Sequence, residues 1–191
     1  MDQNVAVTAP QSDQLRVIHE VLRTLDGAQI RAWLFGGWGL DARLGHITRD
    51  HGDIELWVEQ SDARRSRVAL VEAGATVLNT QPEEEACEFL WADVPFSTAY
   101  FDRRADGTFA SRGRWSDWVF PVGSFGDAQV MLDGVLVPVM STAGMLAMKE
   151  QFPQLRNGRP WRPKQIRDLA TLREMLAKDE RDAQPLPPKS R

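Results

Sequence analysis

The sequence predicts an α+β protein in which short strands alternate with helices and the last part of the chain is helical. Two patterns support this prediction: apolar residues recur at helical spacing in several segments, and other segments alternate polar and apolar residues as a strand does. At 191 residues the chain is long enough for an α/β domain followed by a small helical part. We expect an α/β domain at 1–140, a helical part at 141–178 and a polar, proline-rich, disordered tail at 179–191.

The first half of the chain predicts two longer helices, a short helix after the Gly36–Gly37 turn, and most of the strands. The first helix is expected from Ser12, an N-cap residue, to Gly27, because apolar residues between them recur at helical spacing. The second is expected from Asp62 to Gly74. Strands are expected where residues alternate, or where short apolar runs end at turn residues. These runs are Ala32–Phe35, Asp53–Val58, Ala75–Leu78, Cys87–Ala92 and Phe96–Arg103.

The second half predicts an aromatic loop, a hairpin and two helices. Residues 108–128 carry several aromatic rings, which either cover a cleft or close the core. Asp133 and Gly134 give the turn of a hairpin, and helices are expected from Ser141 to Phe152 and from Pro163 to Lys178. In the last helix the apolar side includes Ile166, while Asp168 is expected to face outward.

Composition restricts the classes of function that fit. The chain is 42% hydrophobic and 26% charged, which is ordinary for a globular protein. No apolar run approaches the roughly 18 residues of a membrane span, and the N-terminus lacks a signal pattern, so we expect a cytoplasmic protein without a membrane partner. The single cysteine, Cys87, excludes an internal disulfide and a cysteine metal cluster. The net charge of −4 argues against a long nucleic-acid footprint and suits a small cationic substrate.

A glycine turn and a pair of carboxylates mark the candidate site. Gly36 and Gly37 end the first strand at a helix start, where bare backbone N–H groups can hold a phosphate. In the next strand, Asp53 and Glu55 point to the same face about 7 Å apart, from the rise of roughly 3.3 Å per residue. Such a pair suits Mg2+, which takes oxygen ligands and keeps waters for phosphate oxygens. Each feature alone is usually a plain turn or a solvated edge, whereas together they define a candidate site.

These motifs resemble the signature of the small nucleotidyltransferases that modify aminoglycoside and lincosamide antibiotics, within the polymerase-beta-like superfamily. The resemblance is close over residues 30–59 and looser to about residue 175. The close part comprises Gly36–Trp38, Asp41–Gly45, Thr48–Arg49 and His51–Leu56. Met148–Glu150 and Arg162–Leu169 are similar to the C-terminal helices of that family.

The resemblance implies a nucleotidyltransferase fold, a small mixed sheet with flanking helices, followed by a C-terminal helical part, with a cleft between them. It also implies Mg2+-dependent transfer of a nucleoside monophosphate from a nucleoside triphosphate to a hydroxyl of an aminoglycoside- or lincosamide-like molecule. The expected donor is ATP, which would give AMP, or another nucleoside triphosphate. The acceptor would be a small molecule such as a cationic antibiotic. The expected assembly is a monomer or a homodimer.

Roles for the site residues follow from the same resemblance. Gly36 and Gly37 would hold the triphosphate, and Asp53 and Glu55 would bind Mg2+ and act in catalysis. Four further residues are candidates for shaping the turn or contacting phosphate. They are Trp38, Arg49, His51 and Lys149.

This chain departs from the family at two acids. Glu55 stands where an aspartate is usual, and Ser97 stands where the family has a third carboxylate that acts as base. Asp102 is our candidate for that base, although a regular strand would place it on the face opposite Ser97 unless a bulge intervenes. Asp93 and Glu88 are the other candidates.

Two alternative functions remain open at this stage. The departures favour a protein of the same fold that binds a nucleotide or ligand and has lost catalysis. Arginine and lysine residues near 103–114 and 156–167 favour a toxin-like nucleotidyltransferase that acts on RNA or protein.

Overall fold

The computed structural model describes residues 9–80, 82, 85–155 and 161–182. Five of the elements in this part of the chain are α-helices. They are α1 (Ala9–Gly27), α2 (Gly36–Leu44), α3 (Ala63–Glu72), α4 (Thr142–Leu155) and α5 (Pro163–Asp182). The strands are β1 (Ala32–Phe35), β2 (Ile54–Glu59), β3 (Thr76–Thr80), β4 (Ala86–Trp91), β5 (Val94–Arg103), β6 (Phe109–Ser111), β7 (Val119–Phe120), β8 (Gln129–Leu132) and β9 (Val135–Pro138).

The central sheet is mixed, as the sequence predicts. Its order is β1-β2-β5-β4-β3, and β6 and β7 extend it from β5. β2 runs parallel to β5, whereas the β1–β2, β5–β4 and β4–β3 pairs are antiparallel. The β8–β9 hairpin forms a separate sheet. Val139, the residue after β9, makes a parallel bridge to Leu34 of β1. The α+β class with C-terminal helices is therefore confirmed.

Strand register places Glu55, Ser97 and Glu88 in one row across the sheet. Glu55 of β2 is paired with Ser97 of β5, and Ser97 is paired with Glu88 of β4. Residues paired across neighbouring strands carry their side chains on the same face of the sheet. Glu55, Ser97 and Glu88 therefore share one face, on three adjacent strands.

An aromatic cluster fills part of the core. The Phe101 and Phe125 rings are stacked with centroids 3.9 Å apart, and Trp57 packs edge-on to Phe120 with centroids 5.2 Å apart. Phe120 and Phe125 belong to the segment that was predicted either to cover a cleft or to close the core, and both rings are buried. For these two residues the core interpretation is confirmed.

Several element boundaries differ from the predicted ones. Helix α1 begins at Ala9, so Ser12 lies inside it and is not its N-cap. Strand β2 begins at Ile54, which leaves Asp53 in the preceding loop. Helix α5 continues to Asp182, past the predicted end at Lys178, so the first residues assigned to a disordered tail are helical.

Most of the predicted tail, residues 183–191, lies outside the described residues. The division into domains at residue 140 stays a prediction. Among the described helices, none is both long and apolar enough to cross a membrane.

Candidate active site

A cavity of about 270 Å3 opens where the β1–α2 turn and the start of β2 face the C-terminal helices. Its acidic side chains are Asp53, Glu55 and Asp168. Its basic side chains are Arg49, Lys149, Arg162 and Lys164, and His51 also lines it. Seven of the nine site residues predicted from the sequence meet in this cavity: Gly36, Gly37, Arg49, His51, Asp53, Glu55 and Lys149.

The two glycines permit a close approach of side chains to the start of helix α2. Gly36 has φ +66°, a left-handed conformation that residues with a Cβ rarely adopt. A Cβ at Gly36 would overlap Oε2 of Glu55 and lie 2.9 Å from its Cδ. A Cβ at Gly37 would lie 2.7 Å from Cε1 of His51 and 2.9 Å from Nη2 of Arg49. Glycine is therefore required at both positions for this arrangement of the cavity wall.

The two predicted metal-binding carboxylates have different surroundings. Asp53 is exposed, whereas Glu55 is partly buried. Burial raises the pKa of Glu55 to about 7, and the neighbouring charge of Asp53 adds to this rise. The charges of Lys149, Lys164 and Arg49 act in the opposite direction. Burial and the Asp53 charge together outweigh these three cations, so a bound cation would further stabilise the ionised form of Glu55.

His51 is held from the side opposite the cavity. Its Nε2 lies 2.6 Å from Oδ2 of Asp41, a carboxylate that is fully buried in helix α2. The backbone N–H and the hydroxyl of Thr48 also donate to Asp41, over 3.0 and 2.6 Å. Nδ1 of His51 lies 3.0 Å from Nη1 of Arg49. Arginine can only donate, so in this contact Arg49 donates to Nδ1 of His51, and the Nε2 of His51 then donates to Asp41.

Trp38 faces the core and is not among the residues that line the cavity. It is 1% exposed, and its Nε1 donates to Oε1 of Gln14 over 2.8 Å. Its ring packs against the His51 ring with centroids 4.6 Å apart. Of the two roles expected for Trp38, shaping the turn therefore agrees with its position, and contact with phosphate does not.

Lys149 and Arg49 converge on Asp168. Nζ of Lys149 donates to Oδ2 of Asp168 over 2.7 Å, and Nη2 of Arg49 lies 3.4 Å from the same oxygen. Asp168 is only 6% exposed, while Ile166 is 56% exposed. The predicted orientation of helix α5 was wrong at both residues, because the contact with Lys149 and Arg49 turns the carboxylate inward.

Asp102 requires a correction. Asp102 is paired with Ala110 on β6. Because β5 is continuous and Asp102 lies an odd number of residues after Ser97, its side chain is on the face opposite that of Ser97 and therefore opposite that of Glu55. Its carboxylate forms an ion pair with Arg112 over 2.8 Å. Asp102 is not among the residues that line the cavity, so we do not assign it as the base.

Two residues of the site were missed by sequence reasoning. Asp41 belongs to the motif that resembles the family, but no role was predicted for it. Its position in a short helix, ten residues before His51, was the available indication of a role in the site. Asp168 gave no distinguishing signal, because it is one of many charged residues on an amphipathic helix, where such residues usually form a solvated face.

Two carboxylates of the cavity, Asp53 and Glu55, are the residues that could hold a magnesium ion. Among the described residues there is no group of three or more His, Cys, Asp or Glu side chains that could hold a metal ion. Mg2+, however, is commonly bound through one or two carboxylates together with substrate phosphates. The oxygen donors of Asp53 and Glu55, next to cations that suit phosphate, match that requirement.

The fold is that of solved nucleotidyltransferases. A crystal structure of ANT(2'')-Ia in complex with adenylyl-2''-tobramycin superposes with a TM-score of 0.71 at 22% identity, covering 89% of this chain and 93% of that one. Lincosamide adenylyltransferase LnuA, solved with lincomycin bound, superposes with a TM-score of 0.63 at 17% identity, covering 88% and 98% of the two chains. At these identities the similarity shows the fold alone.

The family follows from the sequence. The family described as aminoglycoside-2''-adenylyltransferase matches residues 17–172, and this chain belongs to it. The 2''-aminoglycoside nucleotidyltransferases of Klebsiella pneumoniae and Escherichia coli are each 46% identical to this chain over 43 residues. Each match covers 22% of this chain and 24% of the relative, so it spans about a quarter of the relative's length.

Proposed function

We propose that this protein transfers a nucleoside monophosphate, AMP from ATP, to a hydroxyl of an aminoglycoside-like small molecule. One observation carries the proposal: Asp53 and Glu55 line the same cavity as the Gly36–Gly37 turn, with the Glu55 carboxylate against Gly36, and four cationic side chains line that cavity too. This arrangement provides oxygen ligands for a divalent cation next to donors for phosphate oxygens.

Asp53 and Glu55 would hold Mg2+ in the proposed site. A bound Mg2+ would neutralise negative charge on the phosphates during transfer. The chain itself supplies the remaining contacts to the triphosphate. The N-terminus of helix α2 presents N–H groups at Gly36 and Gly37, and Arg49 and Lys149, which also line the cavity, supply positive charge.

The acceptor hydroxyl must lose a proton when its oxygen attacks the α-phosphorus, and pyrophosphate leaves. Ser97 cannot take this proton as a carboxylate would. Glu88, which strand register places in the same row as Glu55 and Ser97, is our candidate for the base. Glu88, like Asp102, lies outside the residues that line the cavity, but unlike Asp102 it is on the same face of the sheet as Glu55. It is also exposed, so an acceptor that extends over Ser97 would reach it.

The acceptor class is proposed from the family and from charge. The chain carries a net charge of −4, which favours a cationic acceptor over a polyanion. ANT(2'')-Ia was solved with an adenylylated tobramycin and LnuA with lincomycin, so both antibiotics are suitable probes.

The test is a transfer assay with the purified chain, radiolabelled ATP, and either Mg2+ or EDTA. We expect Mg2+-dependent labelling of tobramycin, and loss of labelling in Asp53→Ala with the fold retained, since Asp53 is exposed. Asp26→Ala, an exposed substitution in helix α1 away from the cavity, is the matched control. Equal turnover in the two variants would remove the assignment of Asp53 as a metal ligand.

The serine at position 97 favours a second candidate function, nucleotide binding without transfer. Isothermal titration with a non-hydrolysable ATP analogue, run beside the transfer assay, separates the two functions. Binding without labelling of tobramycin, lincomycin or transfer RNA would favour the second candidate. Labelling of transfer RNA alone would instead favour action on RNA.

A further inference from the structure

Asp168 is a buried carboxylate in the cavity to which the proposed function gives no task. It lies on helix α5, while Lys149 lies on helix α4 and Arg49 lies in the loop before β2. A single oxygen, Oδ2 of Asp168, joins these three elements through its contacts of 2.7 Å to Lys149 and 3.4 Å to Arg49. The Lys149 side chain is 14% exposed and the Arg49 side chain 25%, so neither cation is fully solvated.

The charges explain why a carboxylate is needed at this point. Two cations directed at the same small volume repel each other unless an anion lies between them. A buried carboxylate, in turn, needs charged or hydrogen-bonding partners to offset its lost hydration. Asp168 therefore stabilises a geometry in which Lys149 and Arg49 stay close together with no ligand present.

Arg49 is also fixed on its other side. Its Nη1 lies 3.0 Å from Nδ1 of His51 and donates to the carbonyl oxygen of Asp50 over 3.2 Å. His51 is in turn held by Asp41 over 2.6 Å. The guanidinium thus has defined partners at both ends, and its orientation in the cavity is set before a ligand binds.

We propose that Asp168 is a positioning residue that holds Lys149 and Arg49 as a preformed cationic wall for the triphosphate. This inference rests on the proposed function, because it assigns the ligand of the wall as a nucleoside triphosphate. Ordering two long side chains in advance lowers the entropic cost of binding the ligand. The opposite role for Asp168 is that of an internal anion that competes with phosphate, and the two roles predict opposite changes in affinity.

The test compares Asp168→Asn with the wild-type chain. The asparagine keeps the shape of the side chain and removes its charge. We expect the Kd of a non-hydrolysable ATP analogue, and the KM for ATP, to rise about tenfold, as for loss of a charged hydrogen bond, with a smaller change in kcat. Asp168→Glu, which keeps the charge, should recover part of the affinity. Glu174→Gln, an exposed substitution on the same helix, is the control and should leave both constants unchanged.

A double-mutant cycle with Lys149→Met identifies the residue through which Asp168 acts. If Asp168 works by positioning Lys149, Asp168→Asn should have a clearly smaller effect in the Lys149→Met background than in the wild type. A merely structural role would give equal effects in both backgrounds. A variant that folds only in part remains informative, because KM does not depend on the fraction of active enzyme.

The outcomes distinguish failure of this inference from failure of the proposed function. Unchanged or tighter binding of the analogue in Asp168→Asn overturns the positioning role, and tighter binding identifies a competing anion. A wild-type chain that binds the analogue but labels no acceptor overturns the proposed transfer and leaves the binding comparison valid. A wild-type chain that does not bind the analogue overturns both.

Discussion

Replacing Gly36 by alanine tests the geometry on which the candidate site depends. The new Cβ would overlap the Glu55 carboxylate, with 2.9 Å to its Cδ, and the backbone would keep an unfavourable φ of +66°. The left-handed conformation alone costs about 1–2 kcal/mol for a residue with a Cβ. Displacing a metal-binding carboxylate by about 1 Å can lower the rate roughly 100-fold. We therefore expect a moderate loss of stability together with a large loss of nucleotide transfer.

Gly45, at the other end of helix α2, provides a matched control. It also has a positive φ, +75°, but a Cβ there would meet no atom within 4 Å. Gly45→Ala should lose a similar free energy of unfolding in urea and keep its transfer rate. The two quantities are measured by urea titration and by labelling of tobramycin from radiolabelled ATP. Equal transfer rates in the two variants would refute the reasoning, because the contact with Glu55 is what separates them.

Three further predictions concern the surroundings of this site. The pKa of Glu55 rises from 4.5 when unfolded to about 7 when folded, so its ionisation lowers stability as the pH rises between those values. Glu55→Gln should therefore match the wild type in urea titrations at acidic pH and be more stable than it above about pH 7; equal pH profiles would contradict this. Ser97→Asp should raise the transfer rate and the Mg2+ affinity, measured against Ser97→Asn, because register places it beside Glu55; equal values would count against a third acid at that position. Trp38→Phe should lower the free energy of unfolding by about 1–3 kcal/mol, since Oε1 of the buried Gln14 loses its donor; an unchanged urea midpoint would argue against that bond.

The part of the site that is formed by residues close together in the sequence was predictable from the sequence. Gly36 and Gly37 directly follow β1, and Glu55 lies in β2, the antiparallel neighbour of β1. Alternation predicted the face on which Glu55 lies, and the antiparallel β1–β2 pairing brings that residue to the glycine turn, while Asp53 lies in the loop just before β2. The parallel β2–β5 pairing places Glu55 beside Ser97, the position at which the resemblance implies a third carboxylate.

Contacts between distant segments were not predictable in the same way. The inward orientation of Asp168 depends on how helix α5 packs against Lys149 and Arg49, and a polar residue on an amphipathic helix is usually solvated. Asp102 was considered because it is close in sequence to Ser97, and its ion pair with Arg112 depends on β6, which the sequence did not predict as a strand.

The position of Trp118 gives the protein an internal optical reporter. Its indole lines the cavity, and its Nε1 donates to the carbonyl oxygen of Met148, the residue before Lys149. Indole emission responds to the polarity and charge of its surroundings, so a triphosphate entering the cavity should alter the fluorescence without any added dye. Trp118→Phe would identify the share of the signal that arises at this wall, and rapid mixing would then give the rate of nucleotide entry.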